Sequence, residues 1–241
     1  MQHEGQQGTW KQLVGETAAK LIEDGMVIGL GTGSTTTYLI HALARRMNDG
    51  LTIIGAVPTS NATAQLARSL KIPLTSLDAQ PELDLTIDGA DEIDPQLNLI
   101  KGGGGALLRE KIVASSSRRF IIIADTTKLV PQLNRAFPLP IEIVPFAAAP
   151  VRRRLEAMGA SAQVRMVGNE AYTTDNGNMI LDCFFPGGIV SPQELQDRLL
   201  HIVGVVDTGL FFNMVEQAFI AGPDGMQILH LTSRSTIQVT E

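Results

Sequence analysis

Four short apolar runs, 26–30, 51–57, 83–87 and 119–124, fall between segments whose apolar residues recur at helical spacing. Strands that read as nearly unbroken apolar runs are buried on both faces, as in a parallel sheet covered by helices on each side. Such a chain is confined to a doubly wound α/β fold with right-handed crossovers. Helices are expected over 9–23, where Trp10, Leu13, Val14, Leu21 and Ile22 share a spacing and Asp24-Gly25 supplies the stop, over 35–47, and over 59–70.

The pattern changes at the proline-rich segment FPLPIEIVPF, 137–146. From there the chain reads strand, helix (151–158), strand (162–167), strand (178–185), helix (192–201) and strand (204–206), with a strong turn at TDNG, 174–177. That order is a split βαβ unit. The expected architecture is α/β: a Rossmann-like, mostly parallel sheet domain over 1–133 and 207–241, plus a smaller ferredoxin-like α/β domain over 134–206. Short strands at 209–212, 218–221 and 226–231 are expected to return to the first domain. At 241 residues the chain is long enough for two modest cores.

Composition narrows the partners. A net charge of −6 and the lack of a basic stripe speak against a nucleic-acid surface, since Arg152, Arg153 and Arg154 form the only run of three cations and read as a helix face. No apolar span approaches 18 residues and the first ten residues are polar, so neither a membrane segment nor a signal peptide is expected. Cys183 is the only cysteine and reads as a buried structural thiol in a strand, compatible with the cytoplasm.

In open α/β sheets, ligands gather outside the carboxyl ends of the strands. The first run leads directly into Gly31-Thr32-Gly33-Ser34-Thr35, with Ser34 or Thr35 near the N-cap of the next helix. A strand, a Gly/Ser/Thr turn and a helix can hold a phosphate on amides and hydroxyls. A dinucleotide would need a different glycine spacing and an acid after the following strand, which ends instead in Pro58-Thr59-Ser60. A small phosphate ester fits better; a glycine turn serving only tight packing is the plain alternative. The third run ends in Asp88-Gly89-Ala90-Asp91-Glu92-Ile93-Asp94. These acids could ligate Mg²⁺ or Ca²⁺, orient sugar hydroxyls, or be solvated turn residues. The second role suits Asp88 and Asp91, and the third suits Glu92 and Asp94. The fourth run delivers Asp125-Thr126-Thr127-Lys128, where Lys128 is either a pocket lysine or an ordinary helix-start lysine.

The stretch KGGGGALLREKIVA, 101–114, is the densest in chemistry. Gly102, Gly103, Gly104 and Gly105 lack a Cβ, so their backbone can enter positive φ and turn amides toward an anion. A helix is expected to begin at Gly105. At about 100° per residue, Glu110 falls between Ala106 and Ala114 and is flanked by Val113 and Leu107, an apolar arc. A carboxylate there would be partly desolvated and its pKa raised toward that of a general base. The other reading is a surface helix whose Arg109, Glu110 and Lys111 are solvated.

Taken together, GLGTGSTT, VPTS, DGADEID, KGGGGALLREK and ADTTK, followed by FPLPIEIVPF, TDNGNMILD and GVVDTGLF, resemble ribose-5-phosphate isomerases of the A type over nearly the whole chain. The resemblance implies a substrate phosphate on Thr32, Gly33, Ser34 and Thr35, and sugar hydroxyls on the DGAD segment, Asp88, Gly89, Ala90 and Asp91. It implies that Lys101, with Gly102, Gly103 and Gly104, stabilises the intermediate, that Glu110 is the general base, and that Lys128 and Lys11 line the same pocket. It further implies no metal or other cofactor, a sugar-phosphate substrate, and assembly into homodimers or homotetramers. Competing readings are a non-catalytic sugar-phosphate sensor of the same fold, a nicotinamide-dependent oxidoreductase, and another sugar-phosphate enzyme such as a deaminase or lactonase.

Overall fold

The computed structural model describes residues 2–233 and 236–240, with side chains from 6 to 230. By its internal packing the chain divides into two compact units: Met1–Ala90, Arg109–Lys128 and Met214–Glu241 in the first, and Asp91–Leu108 and Leu129–Asn213 in the second. The division expected from the sequence differs in placing 91–108, 129–133 and 207–213 with the first domain.

The first unit is built on a seven-stranded sheet in the order Thr236–Thr240, Gly225–Ser233, Gln217–Gly222, Phe120–Asp125, Leu85–Asp88, Val27–Leu30, Gly55–Pro58. From Gln217–Gly222 to Gly55–Pro58 all neighbours are parallel, and the two remaining strands are antiparallel. The residues dictate this arrangement. Ile28, Leu30, Leu85, Ile87, Ile121, Ile123 and Phe219 are all buried and pack against Val14, Ala18, Leu39, Ile40 and Leu43 of the helices. Burying a leucine such as Leu39 contributes roughly 1.5–3 kcal/mol. The outer side of Gly55–Pro58 is covered by 73–75: Ala56 N donates to Pro73 O and Thr75 N to Ala56 O.

The order reverses direction between Val27–Leu30 and Leu85–Asp88. The chain runs outward from the former to Gly55–Pro58, then returns to the latter's place on the opposite side. The carboxyl ends of these two strands therefore form a topological switch point, where ligands of such sheets bind.

Several boundaries move from those expected. The first helix spans Gln2–Ala19 rather than 9–23. Glu and Gln favour helix, so the polar segment extends it. Arg46 Nη1 donates to the carbonyls of Ala19 and Ile22 and so closes its end before Asp24-Gly25 is reached. The helix after the glycine run spans Leu107–Ser115. It cannot begin at Gly105, which sits at φ 78° in a turn whose N–H returns to Gly102 O.

The second unit contains a four-stranded antiparallel sheet in the order Val205–Thr208, Leu139–Ile143, Met179–Phe184, Ser161–Val164. Numbered along the chain that is 4-1-3-2, the ferredoxin-like arrangement. The helices Ala148–Ala157 and Pro192–Leu200 belong to the same unit, where Ile141, Ile143, Leu181 and Cys183 of the strands meet Val151, Leu155 and Leu199. A buried carboxylate ties the turn to the sheet: Glu142 Oε1 accepts from Thr174 Oγ1, Asn176 Nδ2 and Asn178 Nδ2 at 2.9–3.1 Å. The strand expected over 162–167 breaks at Arg165, and Met166–Val167 instead pairs with Glu170–Ala171 in a separate ribbon. Leu210–Phe211 does not return to the first unit. It joins Leu99–Ile100 and Glu92–Ile93 in a three-stranded antiparallel sheet.

Candidate active site

In the first unit the 31–35 loop, Lys11 and Asp88 collect around the switch point. Gly33 is the N-cap of the helix Ser34–Asn48, at φ 119° and ψ 176°, a conformation essentially reserved for glycine, and no side chain caps that helix. Ser34 is therefore the first helical residue rather than the cap. Its hydroxyl accepts from Lys11 Nζ at 3.0 Å, and the first-turn amides keep no side-chain partner from the cap. An uncapped helix start with exposed Gly33 and Ser34 is a natural seat for phosphate.

Asp88 ends its strand fully buried, and Oδ1 accepts from Thr32 N at 3.0 Å and Gly89 N at 2.7 Å. The approach is so close that a Cβ on Gly31 would lie 2.0 Å from that oxygen. Asp88 thus knits the 31–35 loop to the end of the neighbouring strand. The hydroxyl of Thr32 turns into a cluster with Thr59 Oγ1 (2.7 Å), Ser60 Oγ (2.9 Å) and Thr63 Oγ1 (3.3 Å), and Thr63 Oγ1 donates to Gly31 O. So Thr32 supports the loop from below. Thr35 and Ala90 are half-buried.

Glu110 is 4% exposed, on the helix face it shares with buried Val113 and Ala114. The solvated-helix reading is excluded for it. Neighbouring Arg109 instead reaches Asn61 Oδ1 at 3.1 Å. Lys128 closes a single 3₁₀ turn, Thr126–Lys128, fixed by Asp125, whose Oδ1 accepts from Thr127 N at 3.0 Å and from the Thr127 hydroxyl.

The remaining predicted residues lie in the second unit. Lys101 is 2% exposed, and its Nζ stands 5.6 Å from the centre of the Phe211 ring. Gly102 is at φ 104° and a Cβ there would strike Leu107 at 2.8 Å, so this turn needs glycine. Gly103 N donates to Asp91 Oδ2 at 2.7 Å. Glu92 and Asp94 differ from the sequence expectation: both are buried, not solvated. Glu92 Oε1 accepts from the amides of Ala136 and Phe137 at 2.7 Å and its Oε2 from Asn134 N, while Asp94 Oδ1 accepts from Gln96 N and Asn98 N at 2.9 Å. Backbone donors of their own unit absorb these two acids. Among the described residues, no three His, Cys, Asp or Glu side chains converge as a metal site would require.

Sequence reasoning missed Arg165, Tyr172 and Asp182. Arg165 Nη1 donates to Gly102 O at 2.7 Å and Gly103 O at 3.1 Å, and Asp182 holds the guanidinium. Tyr172 donates to Gly104 O at 3.3 Å. Burial, followed by the negative charge of Asp175, pushes the Tyr172 phenol above its usual range, so it keeps its proton as a donor. The only signal in the sequence was an arginine interrupting an otherwise strand-like segment.

Comparison with known proteins bears on this arrangement. Residues 55–225 match the family described as Ribose 5-phosphate isomerase A (phosphoriboisomerase A). The chain is 55% identical over 219 residues to ribose-5-phosphate isomerase A of Bacillus cereus (strain ATCC 10987 / NRS 248), covering 91% of this chain and 99% of that one. It is 52% identical over 226 residues to the same-named protein of Roseiflexus sp. (strain RS-1), covering 93% and 97%. The solved ribose 5-phosphate isomerase from Plasmodium falciparum superposes with a TM-score of 0.90 at 40% identity, covering 94% of this chain and all of that one. A D-ribose-5-phosphate isomerase solved in complex with phospho-erythronic acid gives 0.89 at 40% identity, covering 92% and 98%. No helix among the described residues is long and apolar enough to cross a membrane. From a match this extensive in both sequence and fold, the chain belongs to the ribose 5-phosphate isomerase A family.

Proposed function

We infer that this chain interconverts D-ribose 5-phosphate and D-ribulose 5-phosphate, an aldose–ketose isomerisation of the pentose phosphate pathway, with Glu110 as general base. The observation that carries this reading is the burial of two oppositely charged side chains nine residues apart, Lys101 at 2% and Glu110 at 4% exposure. Lys and Glu are almost never fully buried unless paired, and these two lie in the stretch whose pattern resembles the family's catalytic segment.

The chemistry uses only the groups present. Glu110 takes the C2 proton of the open-chain aldehyde; the released electron pair becomes the C1–C2 double bond, and the carbonyl pair moves onto O1. In the resulting cis-enediolate the O2 proton passes to O1 and completes the C1 hydroxyl, while a carbonyl forms at C2 and the C1–C2 double-bond pair takes the proton that Glu110 returns to C1. One carboxylate on one face of a planar cis intermediate reaches both carbons. No electron leaves the substrate, so the reaction needs no redox partner. Lys101 and the amide of Gly104 stabilise the oxyanion, a role worth roughly 3–4 kcal/mol per donor in other enzymes, while Gly103 N–H holds Asp91. Asp88 and Asp91 orient hydroxyls, and Gly33, Ser34, Thr35, Lys11 and Lys128 take the phosphate, whose binding energy positions the reacting carbons. Phospho-erythronic acid, held by the solved relative, joins a planar carboxylate to a phosphate end, the same pair of anionic ends as a phosphorylated enediolate. A cytoplasmic location and a homodimer or homotetramer complete the reading. The exposed Val144, Phe146 and Val203 of the second unit suit burial against another copy.

The test is ribulose 5-phosphate formation from ribose 5-phosphate in EDTA, without added cofactor, for the wild type and Glu110→Gln. Turnover is expected in the first, and a loss of about 1000-fold with nearly unchanged substrate binding in the second. A wild type that binds the sugar phosphate without converting it would replace this reading with a sensor.

A further inference from the structure

Three consecutive carbonyls of the glycine loop are held by side chains from a distant part of the second unit. Arg165 Nη1 donates to Gly102 O at 2.7 Å and to Gly103 O at 3.1 Å. Its other two nitrogens are engaged by one carboxylate, Nε with Asp182 Oδ2 at 2.9 Å and Nη2 with Oδ1 at 2.5 Å. The pair is largely withdrawn from water, with side chains 13% and 23% exposed. Tyr172, whose ring centre is 6.0 Å from the guanidinium carbon, donates to the third carbonyl, Gly104 O.

A trans peptide is planar, so its C=O and the following N–H point in opposite directions. Fixing Gly102 O on Arg165 turns Gly103 N–H away from it, and that N–H does reach Asp91 Oδ2 at 2.7 Å. Fixing Gly103 O likewise directs Gly104 N–H away from the guanidinium. Glycine has no intrinsic preference that would select these orientations. With Gly103 and Gly104 exposed, a flip of the first peptide would set a carbonyl oxygen against the Asp91 carboxylate, and a flip of the second would set one against the oxyanion, each meeting repulsion.

We infer that Arg165, oriented by Asp182, is a positioning residue of the isomerase that fixes the peptide planes of the 102–104 loop, holding Gly103 N–H on Asp91 and turning the Gly104 amide, rather than the Gly103 carbonyl, to the reacting oxyanion. This rests on the isomerase reading above. The guanidinium fork is what the task needs, because one group must bridge two carbonyls while docking on both oxygens of a carboxylate. A lysine supplies one donor centre and cannot do both.

The experiment compares wild type, Arg165→Met, Arg165→Lys and Asp182→Asn by kcat, KM for ribose 5-phosphate, and hydrogen exchange of the 101–106 amides. Arg165→Met is expected to lower kcat about 10- to 100-fold with KM held within about threefold, the scale of a misplaced catalytic group. Exchange should quicken in 101–106 while the four-stranded sheet keeps its protection, and Arg165→Lys should recover part of kcat. If Arg165→Met fails to fold, Asp182→Asn gives the same two readings with a smaller loss of kcat. A kcat within twofold of wild type would overturn the inference. So would loop exchange that does not change, or exchange that rises equally across the sheet with no recovery in Arg165→Lys. An inactive wild type defeats the isomerase reading instead, and the exchange arm then decides the loop clamp alone.

Discussion

Two glycine loops in this molecule carry the amides proposed to meet the substrate, and they are held in different ways. The 31–35 loop is fixed by the sheet it grows from: Gly31 N donates to Ile87 O at 3.0 Å, Thr32 N to Asp88, and the Thr32 hydroxyl to residues at the end of the next strand. The 102–105 loop is held mainly by side chains, Arg165 and Tyr172, from more than sixty residues later. A loop that inherits its shape from strand register should be hard to damage without damaging the fold. A loop hung from a side-chain clamp can lose its geometry while the fold persists.

Glycine substitutions separate the two cases most sharply. In Gly31→Ala the new Cβ would lie 2.6 Å from Asp88 Cα, a backbone atom that cannot move without its strand. Urea unfolding should show a loss of about 3 kcal/mol, with turnover abolished. In Gly103→Ala the Cβ meets the carboxylate of Asp91 at 2.6 Å, the end of a side chain that can rotate. There stability should hold within about 1 kcal/mol while kcat falls about 30-fold. Equal losses of stability in both variants would break the distinction.

A smaller effect tests what each loop does for the substrate. Ser34→Ala removes the hydroxyl that pairs with Lys11. It should raise KM for ribose 5-phosphate about 5- to 10-fold with kcat little changed, as expected when binding is lost equally from ground and transition states. A fall in kcat with constant KM would place Ser34 with the chemistry instead.

The smallest effect concerns the strand behind the clamp. Cys183 follows Asp182 and is fully buried; burial first, and the Asp182 charge second, push its thiol from 9.0 to about 12. Iodoacetamide at pH 8 should leave it unmodified in the native protein and label it after unfolding. The raised value also sets a sign. The unfolded thiol loses its proton first, so this contribution to stability is intact below about pH 9 and declines as pH rises toward 12. A thiol alkylated at the native state's usual pH would show that the strand carrying Asp182 opens readily.

The same contrast explains what could be read in advance. The parallel sheet, the 31–35 loop, Asp88 and Glu110 were legible because each follows from a local pattern: an apolar run, a glycine turn, a helix arc. Arg165 and Tyr172 were not, because their role depends on a strand break and on a loop far away in sequence. Glu142 was hidden inside an apolar strand, where nothing local announces that three donors of the TDNGN turn converge on one of its oxygens. Glu92 and Asp94 looked like solvated turn acids, since composition cannot tell water from buried amides as the partner of a carboxylate. The helix start at Leu107 was misread because the positive φ of Gly105 is a conformation, not a composition.

One margin of the seven-stranded sheet has a consequence for the protein's behaviour in concentrated solution. The last parallel strand, Gly55–Pro58, would otherwise offer bare donors and acceptors to any passing chain, but Pro73 and Thr75 pair with Ala56 from outside, and the strand ends in a proline. Unpaired strand edges template aggregation. Covering this one with the protein's own chain lets a sheet rich in isoleucine and leucine remain dispersed, and opening the 73–75 segment should seed precipitation before the core itself melts.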